Sequence, residues 1–144
     1  MKKFAFRLER LLQWRTLERE QAEGRLQALF SELEQLDAAR RALEESLESA
    51  EESVLRPDVL TEERHALDGY RRFIASEKQR LLGLRAELET RIEKQRLVLV
   101  EAERKVEALS RMRDDKKAEW RVELDKEQEE LVSELVVARW GRRT

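Results

Sequence analysis

Few residues in this chain have the types and spacing that chemistry requires. His65 is the only histidine and there is no cysteine. A histidine-based metal cluster, a thiolate site and a nucleophile–His–acid relay built within one chain are therefore excluded. The four glycines stand apart and form no phosphate-cradling loop. Carboxylates are abundant, but with 43% of residues charged, paired acids are the expected solvated face of a helix. His65 itself reads as an exposed residue in the first turns of a helix. The cations Arg111, Arg113, Lys116, Lys117 and Arg121 are interleaved with Asp114, Asp115 and Glu119, which cuts the field a nucleic acid would need. Net charge is −2. The expectation is a protein with no catalytic residues, no cofactor, no metal and no nucleic-acid partner.

What remains are aromatic residues suited to protein contacts. Phe4, Phe6 and Trp14 accompany Leu8, Leu11 and Leu12 at one end of the chain, Tyr70 and Phe73 lie in the middle, and Trp120 and Trp140 lie toward the other end. The elements that position them follow from an apolar repeat broken at the only proline, Pro57. Ala22, Leu26, Leu29, Leu33, Leu36, Arg40, Leu43, Leu47, Ala50 and Val54 step by alternating fours and threes, the spacing of a coiled-coil seam. After Pro57 a second seam runs through Leu67, Tyr70, Ile74, Glu77, Leu81, Leu84 and Leu88. It takes an extra four-step to Ile92, a stutter that relaxes the supercoil, and continues through Gln95, Leu99, Ala102, Val106 and Leu109.

This pattern predicts a single all-α domain over 1–144, a long antiparallel two-helix coiled-coil hairpin. Helix one is expected over about 4–54, a hinge at 55–60 and helix two over about 61–139, with Asp58 or Thr61 as its cap and Glu62 and Glu63 suiting its dipole. Helix one would span ~75 Å and helix two ~117 Å at 1.5 Å per residue. About 30 C-terminal residues would then overhang, where the second seam degrades. Gly69 and Gly83 each cost helix two roughly 1 kcal/mol relative to Ala and are candidate bends.

Each aromatic takes its reading from this frame. Tyr70 should pack near the hinge, while Phe73, one position off the seam, should lie partly exposed as a partner anchor. Phe4, Phe6 and Trp14 fall where the seam passes through Arg15 and Arg19; they either close that end or bind another protein. Trp120 and Trp140, in the overhang with no partner helix beside them, are expected to bind. Charge is unevenly spread. Residues 1–19 hold six cations against Glu9 and Glu18, a local +4, and residues 44–63 hold eight acids against Arg56, a local −7. The longest wholly apolar run, Leu97–Val100, is far short of a membrane span, and no apolar core follows Met1-Lys2-Lys3 as in a signal peptide. A soluble intracellular protein is expected.

The run Phe4-Ala-Phe6-Arg-Leu8-Glu-Arg-Leu11-Leu12, Tyr70-x-x-Phe73-Ile74 past the hinge, Glu-Arg-Lys-Val-Glu-x-Leu at 103–109 and Asp-Lys-Lys-x-Glu at 115–119 together resemble the FliJ family. These are the small coiled-coil components of the flagellar type III export apparatus. The resemblance implies a two-helix stalk whose helix ends insert into the ring of the export ATPase FliI and activate it. It also implies a surface nearer the hinge for the export-gate protein FlhA, and contact with export chaperones. Phe4, Phe6, Leu8, Leu11 and Leu12, with Trp14 and the overhang carrying Trp120 and Trp140, would face the ATPase. Tyr70 and Phe73 would face the gate, although Glu77 and Arg80 are more charged than such a surface calls for. The implied location is the cytoplasm, peripherally at the inner membrane face through the export apparatus. The same layout would serve the equivalent stalk of a virulence type III secretion system, and a homodimeric coiled-coil scaffold would show the same seams.

Overall fold

A computed structural model of the chain describes residues 2–143. It contains two helices, α1 (Glu9–Ser53) and α2 (Thr61–Gly141), packed as an all-α hairpin, and no strand among the described residues. No helix among them is long and apolar enough to cross a membrane. By contact the chain divides into two compact units, Gln21–Leu99, and Met1–Glu20 together with Val100–Thr144.

In the unit Gln21–Leu99, Ala22, Leu29, Leu67, Ile74, Leu81, Leu88 and Ile92 are buried, and Ile74 is the most enclosed at 1% exposure. Leu29, Leu88 and Ile92 form one cluster, with Leu26, Phe30, Leu33 and Leu36 against it. The anticipated seam of α1 is covered along this stretch except at Arg40, which turns out to pair with Glu44 at 3.3 Å. The seam of α2 needs a correction. Leu84 is exposed, and Arg85 takes the half-buried place between Leu81 and Leu88. Steps through Leu81, Arg85, Leu88, Ile92, Gln95 and Leu99 alternate fours and threes, so no stutter falls at Ile92. The aliphatic stem of Arg85 covers the seam while its head reaches Asp37, which a Leu at that position could not do.

That contact is one rung of a ladder. Glu51, Glu44 and Asp37 recur every seven residues on α1, and each meets a cation of α2 that also recurs every seven, Arg71 (3.1 Å), Lys78 (3.2 Å) and Arg85. Paired numbers always sum to the same value, as an antiparallel register requires. Gln95 adds a polar seam contact, its Nε2 donating to the Ala22 carbonyl at 3.1 Å, and the Arg96 guanidinium lies 5.5 Å from the Phe30 ring centroid.

The turn between the helices follows from Pro57. The amides of Val54 and Leu55 donate to the carbonyls of Glu51 and Glu52, tightening the last turn, and Arg56 Nε donates to the Ser53 carbonyl. The Leu60 carbonyl accepts the amides of Glu63 and Arg64, so Leu60 rather than Asp58 or Thr61 occupies the cap of α2. Gly69 and Gly83 mark no bend that their backbone requires. Neither has a positive φ, and a Cβ at either would meet open space.

In the other unit, Leu12, Val106 and Leu109 form a buried cluster with Leu8 packed against it, and Glu9 lies 3.8 Å from Arg113. Helix one was expected from about residue 4, but α1 begins at Glu9. Residues 2–6 carry no helical or turn structure. The Lys2 carbonyl, which a helix would give to the amide four residues on, accepts the indole N–H of Trp120 at 3.1 Å. Phe6 and Leu8 then offer the first carbonyls, to the amides of Glu9 and Leu12. Trp120 and Leu124 are half-buried, and every residue from Asp125 to Gly141 is exposed, the anticipated overhang.

Candidate functional site

Surface chemistry concentrates in the unit that holds both chain ends. Phe4 rests on Trp120, with ring centroids 6.0 Å apart and planes at 53°, a tilted arrangement suited to aromatic quadrupoles. Together with Phe6, Leu8 and Met112 these rings line a groove of about 530 Å³ whose rim carries Lys3, Arg7, Lys116 and Glu119. A groove of this size with an aromatic floor is typical of sites that take apolar side chains or small ligands. Trp120 therefore has a partner within the unit, and that partner is not a helix. The partner is the non-helical N-terminal segment, which helical periodicity does not register.

The eight residues assigned to an ATPase surface separate into distinct settings. Leu12 is core and Leu8 is packed on it, so their contribution is to hold α1 in place. Phe4, Phe6 and Trp120 form the groove. Leu11 and Trp14 point the other way. Trp14 lies two residues beyond Leu12, about 200° around the helix from it. It is 59% exposed, with Leu11 and Leu17 exposed beside it. Leu17 was not singled out by the repeat, although its three-residue spacing from Trp14 and Leu11 is visible in the chain. Trp140 is 74% exposed, and Leu131, Val132, Leu135, Val136 and Val137 are exposed with it.

Both carboxylates near the N-terminus are engaged. Glu9 faces Arg113, and Arg15 donates to Glu18 at 3.0 Å. The hydrogen bond from Arg15 holds the Glu18 carboxyl below its ordinary value, opposed by slight desolvation and aided by Trp14. Further along, Arg111 pairs with Glu107 and Lys116 with Glu119, which neutralises much of the basic run read in the sequence.

In the unit Gln21–Leu99, Tyr70 is half-buried over a cleft lined by Ala50, Val54 and Leu67, as its seam position implied. Phe73 is 55% exposed and stacks on Tyr70, centroids 6.3 Å apart and planes at 25°. Glu77 and Arg80 pair with each other at 2.9 Å. His65 is exposed. Among the described residues no group of three or more His, Cys, Asp or Glu side chains is placed to hold a metal ion.

The class of protein these features define is a two-helix hairpin with exposed aromatic and apolar surfaces. Comparison with family models, with curated proteins and with solved structures finds no match to this chain.

Proposed function

We propose that this chain is a non-catalytic stalk of the flagellar type III export apparatus, binding and activating the ring of the export ATPase FliI and linking it to the gate protein FlhA. ATP chemistry belongs to the partner. The observation that carries the reading is the exposed apolar end of α2, six large apolar residues between Leu131 and Trp140 that nothing in their unit covers. An apolar surface of that extent is rare on a soluble monomer unless a partner covers it. The ordered motifs at residues 4–12, 70–74, 103–109 and 115–119 supply the family. Tyr70 and Phe73 form the gate-facing pair, export chaperones are further partners, and the site of action is the cytoplasmic face of the inner membrane, reached through the apparatus.

ATP turnover by the organism's export ATPase, measured with and without this chain, tests the reading. Stimulation that disappears with Trp140→Ala and Leu135→Ala together supports it. Turnover unaffected by the wild-type chain overturns it. A stable dimer in solution, rather than a species near 17.2 kDa, would instead favour a homodimeric scaffold.

A further inference from the structure

In the unit that holds both chain ends, one stripe of α2 is covered along part of its length and bare along the rest. Ala102, Val106 and Leu109 are buried, the last two in the cluster of Leu12 on α1. The same stripe runs on through Arg113, which faces Glu9, and Trp120, which the N-terminal segment holds, to Leu124, Leu131, Leu135 and Ala138. These residues keep the spacing of a coiled-coil seam, so the face that packs on α1 continues past the point where α1 begins. Beyond Leu124 the seam has no helix on it; Leu131 and Leu135 are 58% and 69% exposed. The bare length from Leu124 to Ala138 is about 21 Å.

Acids border it. Residues 123–136 hold Glu123, Asp125, Glu127, Glu129, Glu130 and Glu134 against Lys126, a local −5. At about 100° of rotation per residue, Glu127 and Glu134 stand about 40° and 60° from Leu131 on one side, with Glu130 behind them. Asp125 and Glu129 stand on the other side, on the stripe of Val132, Val136 and Trp140. Lys126 lies about 140° from Leu131, on the back of the helix. The next cations, Arg121 and Arg139, flank the stretch at either end, with Arg142 and Arg143 beyond. Among the described residues the last ion pair along α2 joins Lys116 to Glu119, so none of these acids is ion-paired. We infer that this face docks a basic amphipathic helix of a partner protein, which continues the seam where α1 leaves it. Its apolar residues lie on Leu124, Leu131 and Leu135, and its cations on Glu127, Glu130 and Glu134.

An anionic lipid surface is the poorer occupant, because carboxylates on both borders of the stripe would be pressed toward its headgroups. A second copy of this stretch would bring two local charges of −5 together, a repulsion that a basic helix turns into attraction. A helix is the fitting element because a helix, α1, already covers the earlier part of the same seam. A basic partner helix deepens the proposed function by giving the chemistry of what covers this end of α2. It rests on the reading that this end docks a partner, and not on that partner being the export ATPase.

The test uses the full-length chain and two labelled helical peptides, each about 27 Å long, read by fluorescence anisotropy. Both carry the same leucine stripe, bordered in one by Lys and in the other by Glu. The Lys peptide should bind, weaken about tenfold as salt is raised, and outbind the Glu peptide about tenfold. Glu127→Lys, Glu130→Lys and Glu134→Lys together should reverse that preference, whereas the same reversal at Glu45, Glu48 and Glu52 beside the hinge should leave it unchanged. Leu131→Ala with Leu135→Ala should weaken the Lys peptide about tenfold, with helicity unchanged by circular dichroism. Equal affinity for both peptides overturns the inference, as does a Lys peptide that follows the hinge acids rather than Glu127, Glu130 and Glu134. A doubled mass in sedimentation that the two leucine changes abolish, with no binding of the Lys peptide, assigns the face to a second copy and overturns it too. No export protein is present, so failure here is distinct from a failure to stimulate the ATPase. A chain that binds the Lys peptide and leaves ATP turnover unchanged would sink the proposed function alone.

Discussion

Lys78 Nζ lies 3.2 Å from Glu44 Oε1, the middle rung of a ladder in which α1 supplies three acids and α2 three cations at seven-residue intervals. Such flanking pairs select one register and direction among those a leucine seam alone would tolerate. The hydrogen bond from Lys78, then its charge, lowers the Glu44 pKa from 4.5, with Arg40 adding to the effect. A carboxyl depressed on folding stabilises the hairpin above its unfolded value and loses that contribution as pH falls through the folded value. Glu44→Gln should therefore melt below the wild type near neutral pH, and the two melting curves should converge as pH drops below 4.5. The difference should be small, because both side chains are solvated. A gap that stays constant with pH would mean that Lys78 does not set it.

The burial phase of α2 makes a sharper test. Leu84 and Leu88 are both leucines, yet the first is exposed and the second is 4% exposed within the Leu29 cluster. Leu88→Ala should cost about 2–5 kcal/mol, since it removes buried methyl groups and leaves a cavity. Leu84→Ala should cost less than about 1 kcal/mol. Urea titration of the two variants decides between this phase and the stuttered one. Equal losses would restore Leu84 to the seam.

Gly69 and Gly83 sit in regular helix with open space where a methyl group would go. Gly83→Ala should raise stability by about 0.5–1 kcal/mol by restricting the unfolded chain and favouring helix, and Gly69→Ala should do the same. Thermal unfolding checks it. A loss would reveal a close approach at those positions that the hairpin does not show.

The leucine repeat and Pro57 made the hairpin legible, because a seam states which residues are buried and a proline states where a helix stops. They did not make Arg85 legible. Its burial depends on the stem lying along the seam while the head reaches Asp37, a contact between residues 48 apart in sequence. The ladder was hidden for the same reason; Glu44 and Glu51 fall in an acidic stretch that looks solvated until the opposite helix is placed. At the N-terminus, the periodicity extended helix one through Phe4. The helix instead starts at Glu9, and the Lys2 carbonyl accepts the Trp120 indole N–H, a contact between residues 118 apart that no local period registers. Of the site, the aromatic residues were legible as types. Their division into groove, core and outward ridge depends on the angle around α1, which becomes fixed once Leu12 is known to be core.

Phe4 and the Lys2 carbonyl hold Trp120 from two sides, so the N-terminal segment acts as a strap across it. Phe4→Ala should release that strap and shift Trp120 emission to the red when Trp14 and Trp140 are replaced by Phe. The main unfolding transition should move little, because neither ring is among the buried core residues. Unchanged emission would show that Lys2 alone keeps the indole in place.

Every residue from Asp125 to Gly141 is exposed, so this stretch contributes no packing to the cluster of Leu12, Val106 and Leu109 in its own unit. Deleting residues 125–144 should accordingly leave the melting temperature of the hairpin within about 3 °C of the wild type, a shift corresponding to about 1 kcal/mol or less for a domain of this size. The same deletion removes Leu131, Val132, Leu135, Val136, Val137 and Trp140, the apolar surface on which stimulation of the export ATPase is proposed to depend. The two readouts should separate, with thermal stability retained and stimulation lost. A drop in melting temperature beyond about 5 °C would mean that the stretch is packed in solution. Retained stimulation would move the ATPase contact to the Phe4, Phe6 and Trp120 groove, where Phe6→Ala would then be the decisive variant.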